Sequence, residues 1–181
     1  MRTSLSTIQL LHRIGKILSK AAVLISAIAF VFCTAVLICT VCGVEVARGK
    51  IESTALFGGN FGYAYHLMIS LAVIALGEAF VAKRSADYFS SELEAGTPFD
   101  TGNATRLRNL GIVTIAVPLV TAVISKTVYA VLVKKYGTFD CSLDYAGGSV
   151  AVGIMFIILS LICRYGAEVD ARGKQEKGEQ E

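Results

Sequence analysis

Apolar positions gather into four long runs, near 21–44, 63–82, 110–133 and 147–163, and almost every charged residue falls between them. A hydrocarbon core about 30 Å thick is crossed by about 20 helical residues, and each run meets or nearly meets that length. The pattern predicts four spanning helices with little chain outside the bilayer. Before the first run, Ile8, Leu10, Leu11, Ile14, Ile17 and Leu18 recur at helical spacing between His12, Arg13, Lys16 and Lys20. That spacing predicts an amphipathic helix lying at the interface and bending into span one. A plain helical extension of span one is the other reading. Pro118 predicts a kink in span three, because it removes a backbone donor and crowds the preceding turn. Gly58, Gly59 and Gly62 around Asn60 and Phe61 predict a turn on the outer surface. Phe61, Tyr63 and Tyr65 at the start of span two, with Tyr129 and Tyr136 late in span three, suit the outer interface.

The fold class expected is all-α: an integral membrane four-helix bundle in one domain at 21–168, with the amphipathic segment 1–20 before it. A charged, disordered tail is expected at 169–181. Composition agrees, with 54% hydrophobic residues in 181 and a mean hydropathy of +0.63. The first run is too long for a signal peptide's apolar region, so it is read as an uncleaved helix. The net charge of +3 matters less than its placement. Arg2, Arg13, Lys16 and Lys20 precede span one; Lys83, Arg84, Arg106 and Arg108 lie between spans two and three; Arg164, Arg172, Lys174 and Lys177 follow span four. The opposite connections carry only Arg48 with Lys50, and Lys134 with Lys135. Positive residues mark the cytoplasmic face, which places both termini there. Span four carries the small pairs Gly147/Ala151 and Ser149/Gly153, which suit close packing inside the bundle or between copies, so a homo-oligomer is left open.

Chemistry-bearing residues are few. Cys33, Cys39, Cys42 and Cys163 lie in apolar runs and are read as packing residues. Cys141 stands alone in an outer loop. No metal site, cofactor or catalytic set can be assembled from this inventory, and a lone His66 near the outer end of span two does not make a zinc site. Two ionisable residues interrupt the spans. Glu78 sits about one and a half turns from the cytoplasmic boundary, and Lys126 about 12 Å from the outer one. Glu78 could reach interfacial water or pair with Lys83 or Arg84, and Lys126 could snorkel outward. Otherwise the two contribute to a buried polar site with Ser125 and Thr127, as a small-molecule or lipid binder or transporter would need.

The densest polar stretch joins spans two and three. Gly96 and Pro98 break the helix leaving span two, and Asp100 or Thr101 can cap the next one, with Phe99 packing back as a staple. The string from Gly96 to Gly111, Gly-Thr-Pro-Phe-Asp-x-x-Asn-x-x-Arg-Leu-Arg-x-x-Gly, resembles the signature of the DUF2975 family of bacterial membrane proteins. Arg164-Tyr165-Gly166-Ala167-Glu168 is similar to that family's closing segment, with Val169 in place of Leu. The resemblance covers the four-span layout and nearly the whole chain. It implies a bacterial inner-membrane protein of uncharacterised function, of a kind commonly encoded beside a small helix-turn-helix regulator. That association suggests a non-enzymatic regulatory or sensor partner of such a regulator. The candidate partner-binding residues are Pro98, Phe99, Asn103, Arg106, Arg108 and Glu168, whose other role is turn, cap and interfacial anchor. The chain has no helix-turn-helix of its own, and its basic residues follow topology rather than nucleic-acid phosphates.

Overall fold

The computed structural model describes residues 2–43, 49, 60–95, 101–139 and 147–178. Among them the secondary structure is helical, in four long elements: α1 (Arg2–Val41), α2 (Phe61–Ala95), α3 (Thr101–Tyr136) and α4 (Gly147–Gly178). All four contain stretches long and apolar enough to cross a bilayer: His12–Val41, Phe61–Glu94, Thr101–Tyr136 and Ser149–Gly173. The shortest helix has 32 residues, about 48 Å at 1.5 Å per residue, so each is longer than the hydrocarbon core is thick.

The helix ends follow local chemistry. Asn60 caps α2: its Oδ1 accepts from the Gly62 and Tyr63 amides at 2.8 and 3.3 Å, satisfying donors that have no partner within the helix. Gly137 closes α3 in a left-handed conformation (φ 82°), and its amide returns to the Val133 carbonyl at 3.0 Å. α2 is described to Ala95 and α3 from Thr101, and the turn expected at Gly96 and Pro98, with its capping, lies outside the described residues.

Two expectations are corrected. The amphipathic segment is not a separate interfacial helix, since α1 runs uninterrupted from Arg2 to Val41. Contacts with α2, described below, hold that first part of α1. The tail at 169–181 does not begin as disorder, because α4 continues to Gly178. Its Glu, Lys, Gln and Arg residues are good helix formers. Pro118 lies inside α3 without ending it.

The described chain forms two compact units. One takes Met1–Ala21, Val81–Ala116 and Gly147–Glu181; the other takes Ala22–Phe80 and Val117–Ala146. Both are built on small residues. In the first unit, a Cβ on Gly111 would come within 2.7 Å of the Gly153 carbonyl, and one on Gly153 within 2.8 Å of the Gly111 carbonyl. The backbones of α3 and α4 therefore touch where both residues lack a side chain, the close approach that small residues permit in membranes. Of the small face foreseen on α4, Gly153 packs inside, whereas Ala151 is exposed. In the second unit, Gly77 of α2 makes room for the Val117 and Thr121 side chains of α3.

Many large apolar side chains point outward. Leu24, Ile25 and Phe32 of α1, Leu76 of α2, Val123 of α3 and Ile162 of α4 are all more than half exposed. Such continuous apolar surface on long helices requires a hydrocarbon solvent. Replacing Gly153 with Leu should force α3 from α4 and cost about 1–3 kcal/mol or more. Gly173, with nothing within 4 Å of its Cβ position, should accept Ala without loss. Thermal unfolding of the two variants in detergent, followed by circular dichroism, checks the contrast.

Candidate functional site

Two polar centres stand out, one in each unit. In the first unit the end of α2 gathers polar residues from α1 and α3. Glu92 is 6% exposed, and its Oε2 lies 2.8 Å from His12 Nε2 of α1. Tyr88 lies one turn before Glu92 on the same helix. The two side chains of His12 and Glu92 form a close polar pair between α1 and α2, an ion pair when the imidazole is protonated. Beside it, the Phe89 ring lies on the backbone of Gly15, close enough that a Cβ there would fall 2.8 Å from the ring. The absence of a side chain at Gly15 lets α1 seat against α2, and His12 meets the same ring edge-on with centroids 6.0 Å apart.

Toward α3, the Ser91 hydroxyl donates to Asn103 Oδ1 at 2.5 Å. Asn103 is buried, at 2% exposure. It therefore joins α2 to α3 from inside the hairpin rather than presenting itself to a partner. Its neighbours on α3 diverge. Leu107 is buried at 5%, and Arg106 and Arg108 are exposed. Residues two apart point to different sides of a helix. Arg106 faces a polar cleft of about 480 Å³ formed with Arg84, Asp87, Tyr88, Ser90, Ser91 and Glu94 of α2, and Asn109 and Leu110 of α3. Arg108 lies off that cleft.

The remaining predicted residues are dispersed. Pro98 and Phe99 lie outside the described residues. Glu168 is exposed on α4 and accepts from Arg164 Nε at 3.2 Å, an exposed i,i+4 pair that stabilises little.

The polar centre of the second unit corrects the expectation placed on Glu78 and Lys126. Both side chains lie on exposed faces of their helices, so they do not form a buried site between spans two and three. The buried group is His66, at 3% exposure, with Ser70 at 1% and Ser125 at 8%. His66 Nε2 lies 3.1 Å from the Ser125 carbonyl. A carbonyl only accepts, so Nε2 carries the proton and donates. The Ser125 hydroxyl stands 3.2 Å from the same nitrogen and 2.9 Å from the Ser70 hydroxyl. Because the nitrogen facing the serines is a donor, it cannot take a proton from either, and the arrangement is a polar latch between α2 and α3 rather than a nucleophile with its base.

Aromatic rings close around the latch. His66 packs against Tyr129 and Phe139, and the Tyr129 hydroxyl donates to the Phe139 carbonyl at 3.1 Å. Tyr65 meets Tyr136, and Tyr63 meets Phe139, which brings the aromatic sets foreseen on α2 and α3 together. Among the described residues, no group of three or more His, Cys, Asp or Glu side chains converges on a metal-sized position.

The long helices and their apolar exterior define a multi-pass membrane protein. Comparison with family models, with curated proteins and with solved structures finds no match for this chain.

Removing His12 by substitution with Ala leaves a buried carboxylate short of its partner and should destabilise the fold by about 3 kcal/mol. His66→Leu removes the ring's hydrogen bond to the Ser125 carbonyl while Ser70 and Ser125 stay paired with each other, and should cost about 0.5–1.5 kcal/mol. Lys126→Ala, on an exposed face, should change stability by less than about 0.5 kcal/mol. Denaturation of the three purified variants in the same micelle ranks them.

Proposed function

We propose that this chain is a non-enzymatic regulatory protein of the bacterial inner membrane, with both termini cytoplasmic. It acts on a cytoplasmic protein through the 84–108 segment that joins α2 to α3. The observation that supports this reading is the anchored hairpin end. Ser91 and Asn103 tie α2 to α3 from inside, His12 and Glu92 tie α1 to α2, and Arg108 stands exposed on the fixed surface that results. A surface fixed in advance loses little conformational entropy when a partner docks. The resemblance of the 96–111 string to the DUF2975 signature adds a partner class, a small helix-turn-helix regulator whose DNA binding the membrane protein would control by holding it.

The test is affinity purification from native membranes in mild detergent, with mass spectrometry of retained proteins. A co-purifying helix-turn-helix protein is the expected outcome, with retention reduced about tenfold by Arg108→Ala, as for an exposed interfacial arginine contributing about 1.4 kcal/mol. Retention left intact by Arg106→Ala/Arg108→Ala in a folded protein would overturn the reading.

A further inference from the structure

Cys39 and Cys42 do not pack into the protein as their place in an apolar run suggests. Both are exposed, whereas Cys33 on the same helix is buried and so is Thr40 between them. Side chains three apart on a helix are neighbours. At three residues of helical rise their Cα atoms lie about 5 Å apart, inside the range of roughly 4.4–6.8 Å that a disulfide spans. Cβ atoms at this spacing are about 5–6 Å apart, so a disulfide asks for about 1–2 Å of approach.

The end of α1 can supply that approach. The helix finishes at Val41, and Cys42 lies past it. The Cys42 amide still donates to the Ile38 carbonyl at 2.8 Å, but the Gly43 amide turns to the Thr40 carbonyl at 3.3 Å. Gly43 takes a left-handed conformation (φ 76°). The spacing of hydrogen bonds has thus begun to tighten where the second thiol stands.

Depth places the pair at a surface. From Ala21, beside Lys20, to Val41, α1 rises about 30 Å, the thickness of the hydrocarbon core. Cys42 stands at the far boundary and Cys39 one turn inside it. That boundary is the outer one in the orientation proposed above, with both termini cytoplasmic. The present inference rests on that orientation, and not on a partner at the 84–108 segment. Outside a bacterial inner membrane disulfides form and persist.

We infer that Cys39 and Cys42 are a redox-active dithiol, oxidised to an intrahelical disulfide by exchange with the disulfide of a protein outside the membrane. The Cys42 thiolate, at the boundary, attacks one sulfur of the donor's disulfide, and the donor's other sulfur leaves as a thiolate. The Cys39 thiolate then attacks the Cys42 sulfur of the mixed disulfide and releases the second donor sulfur. The chain gives up two electrons and two protons, and the donor's disulfide becomes two thiols. An exposed disulfide is of the labile, regulatory kind, so a reductant reverses the step. Zinc fits the pair less well. Among the described residues no group of three or more His, Cys, Asp or Glu converges, and a structural zinc takes four ligands.

The test uses the full-length protein in bacterial cells, quenched in acid and denatured in one alkylating reagent, then reduced and treated with a second. Peptide mass spectrometry reads which label each cysteine carries. The expected result is the second label on both Cys39 and Cys42 in most of the protein, and the first on Cys33 and Cys163. Before reduction, the peptide holding Cys39 and Cys42 should be two hydrogens lighter than the dithiol. Cys39→Ser should hold Cys42 in a mixed disulfide with the donor, and Cys42→Ser should leave Cys39 reduced. Both positions are exposed, and elution of each variant as a single species by size exclusion checks its fold. Alkaline phosphatase fused after Glu181 reports orientation separately, since it is active only outside. An inactive fusion with Cys39 and Cys42 reduced in the native chain would overturn this inference alone. An active fusion would overturn the orientation and the inference with it. A bond to Cys141 or to a second copy in place of the Cys39–Cys42 bond, or copper held by the two reduced thiols, would also overturn it.

Discussion

A bilayer offers no water to pair with backbone groups and no hydrophobic gain for joining one apolar helix to another. This constraint shapes the distribution of residues. The backbone is satisfied within long helices, and hydroxyls inside the apolar stretches turn back onto their own helix. Thr34 donates to the Phe30 carbonyl at 2.7 Å, Thr40 to Val36 at 2.7 Å and Thr114 to Leu110 at 2.8 Å. Association then depends on close packing and on a few interhelical polar contacts. Ala64, Ala72, Ala75, Ala82 and Ala86 of α2 are buried while Leu71 and Leu76 of the same helix are exposed, the reverse of a soluble core.

The interhelical polar contacts are where specificity enters this packing. His66, Ser70 and Ser125 join α2 to α3 in one unit. In the other, His12 with Glu92 joins α1 to α2, and Ser91 with Asn103 joins α2 to α3. Each pairs groups that would be costly if left alone in a dry environment. A small-residue interface can slide along its helices with little loss, whereas a hydrogen bond between particular side chains cannot. These contacts therefore fix register, and with it the surface that the α2–α3 hairpin presents.

That surface divides environments within one short motif. In Arg106-Leu107-Arg108, the central Leu is buried, one Arg faces a charged cleft and the other stands away from it. A single turn of α3 thereby supplies a buried anchor and two exposed basic residues on different sides.

The sequence by itself determined the four membrane helices and the aromatic sets near Tyr63, Tyr65, Tyr129 and Tyr136. Apolar run length and interfacial aromatics are local signals that hold whatever the partners are. It also marked Asn103 and Arg106 by their place in a distinctive string, without distinguishing a buried tie from an exposed contact. Only the tertiary structure decided which polar residues face inward. Glu78 and Lys126 drew attention as charges within apolar runs, yet both face outward. His66, read as an interfacial ring, is buried because Ser125 and Phe139 come to it from far along the chain. The pairing of His12 with Glu92 was equally hidden, since a separation of eighty residues leaves no periodic trace of a contact. Periodicity tells which residues share a face of one helix; which helix that face meets depends on packing between segments remote in sequence.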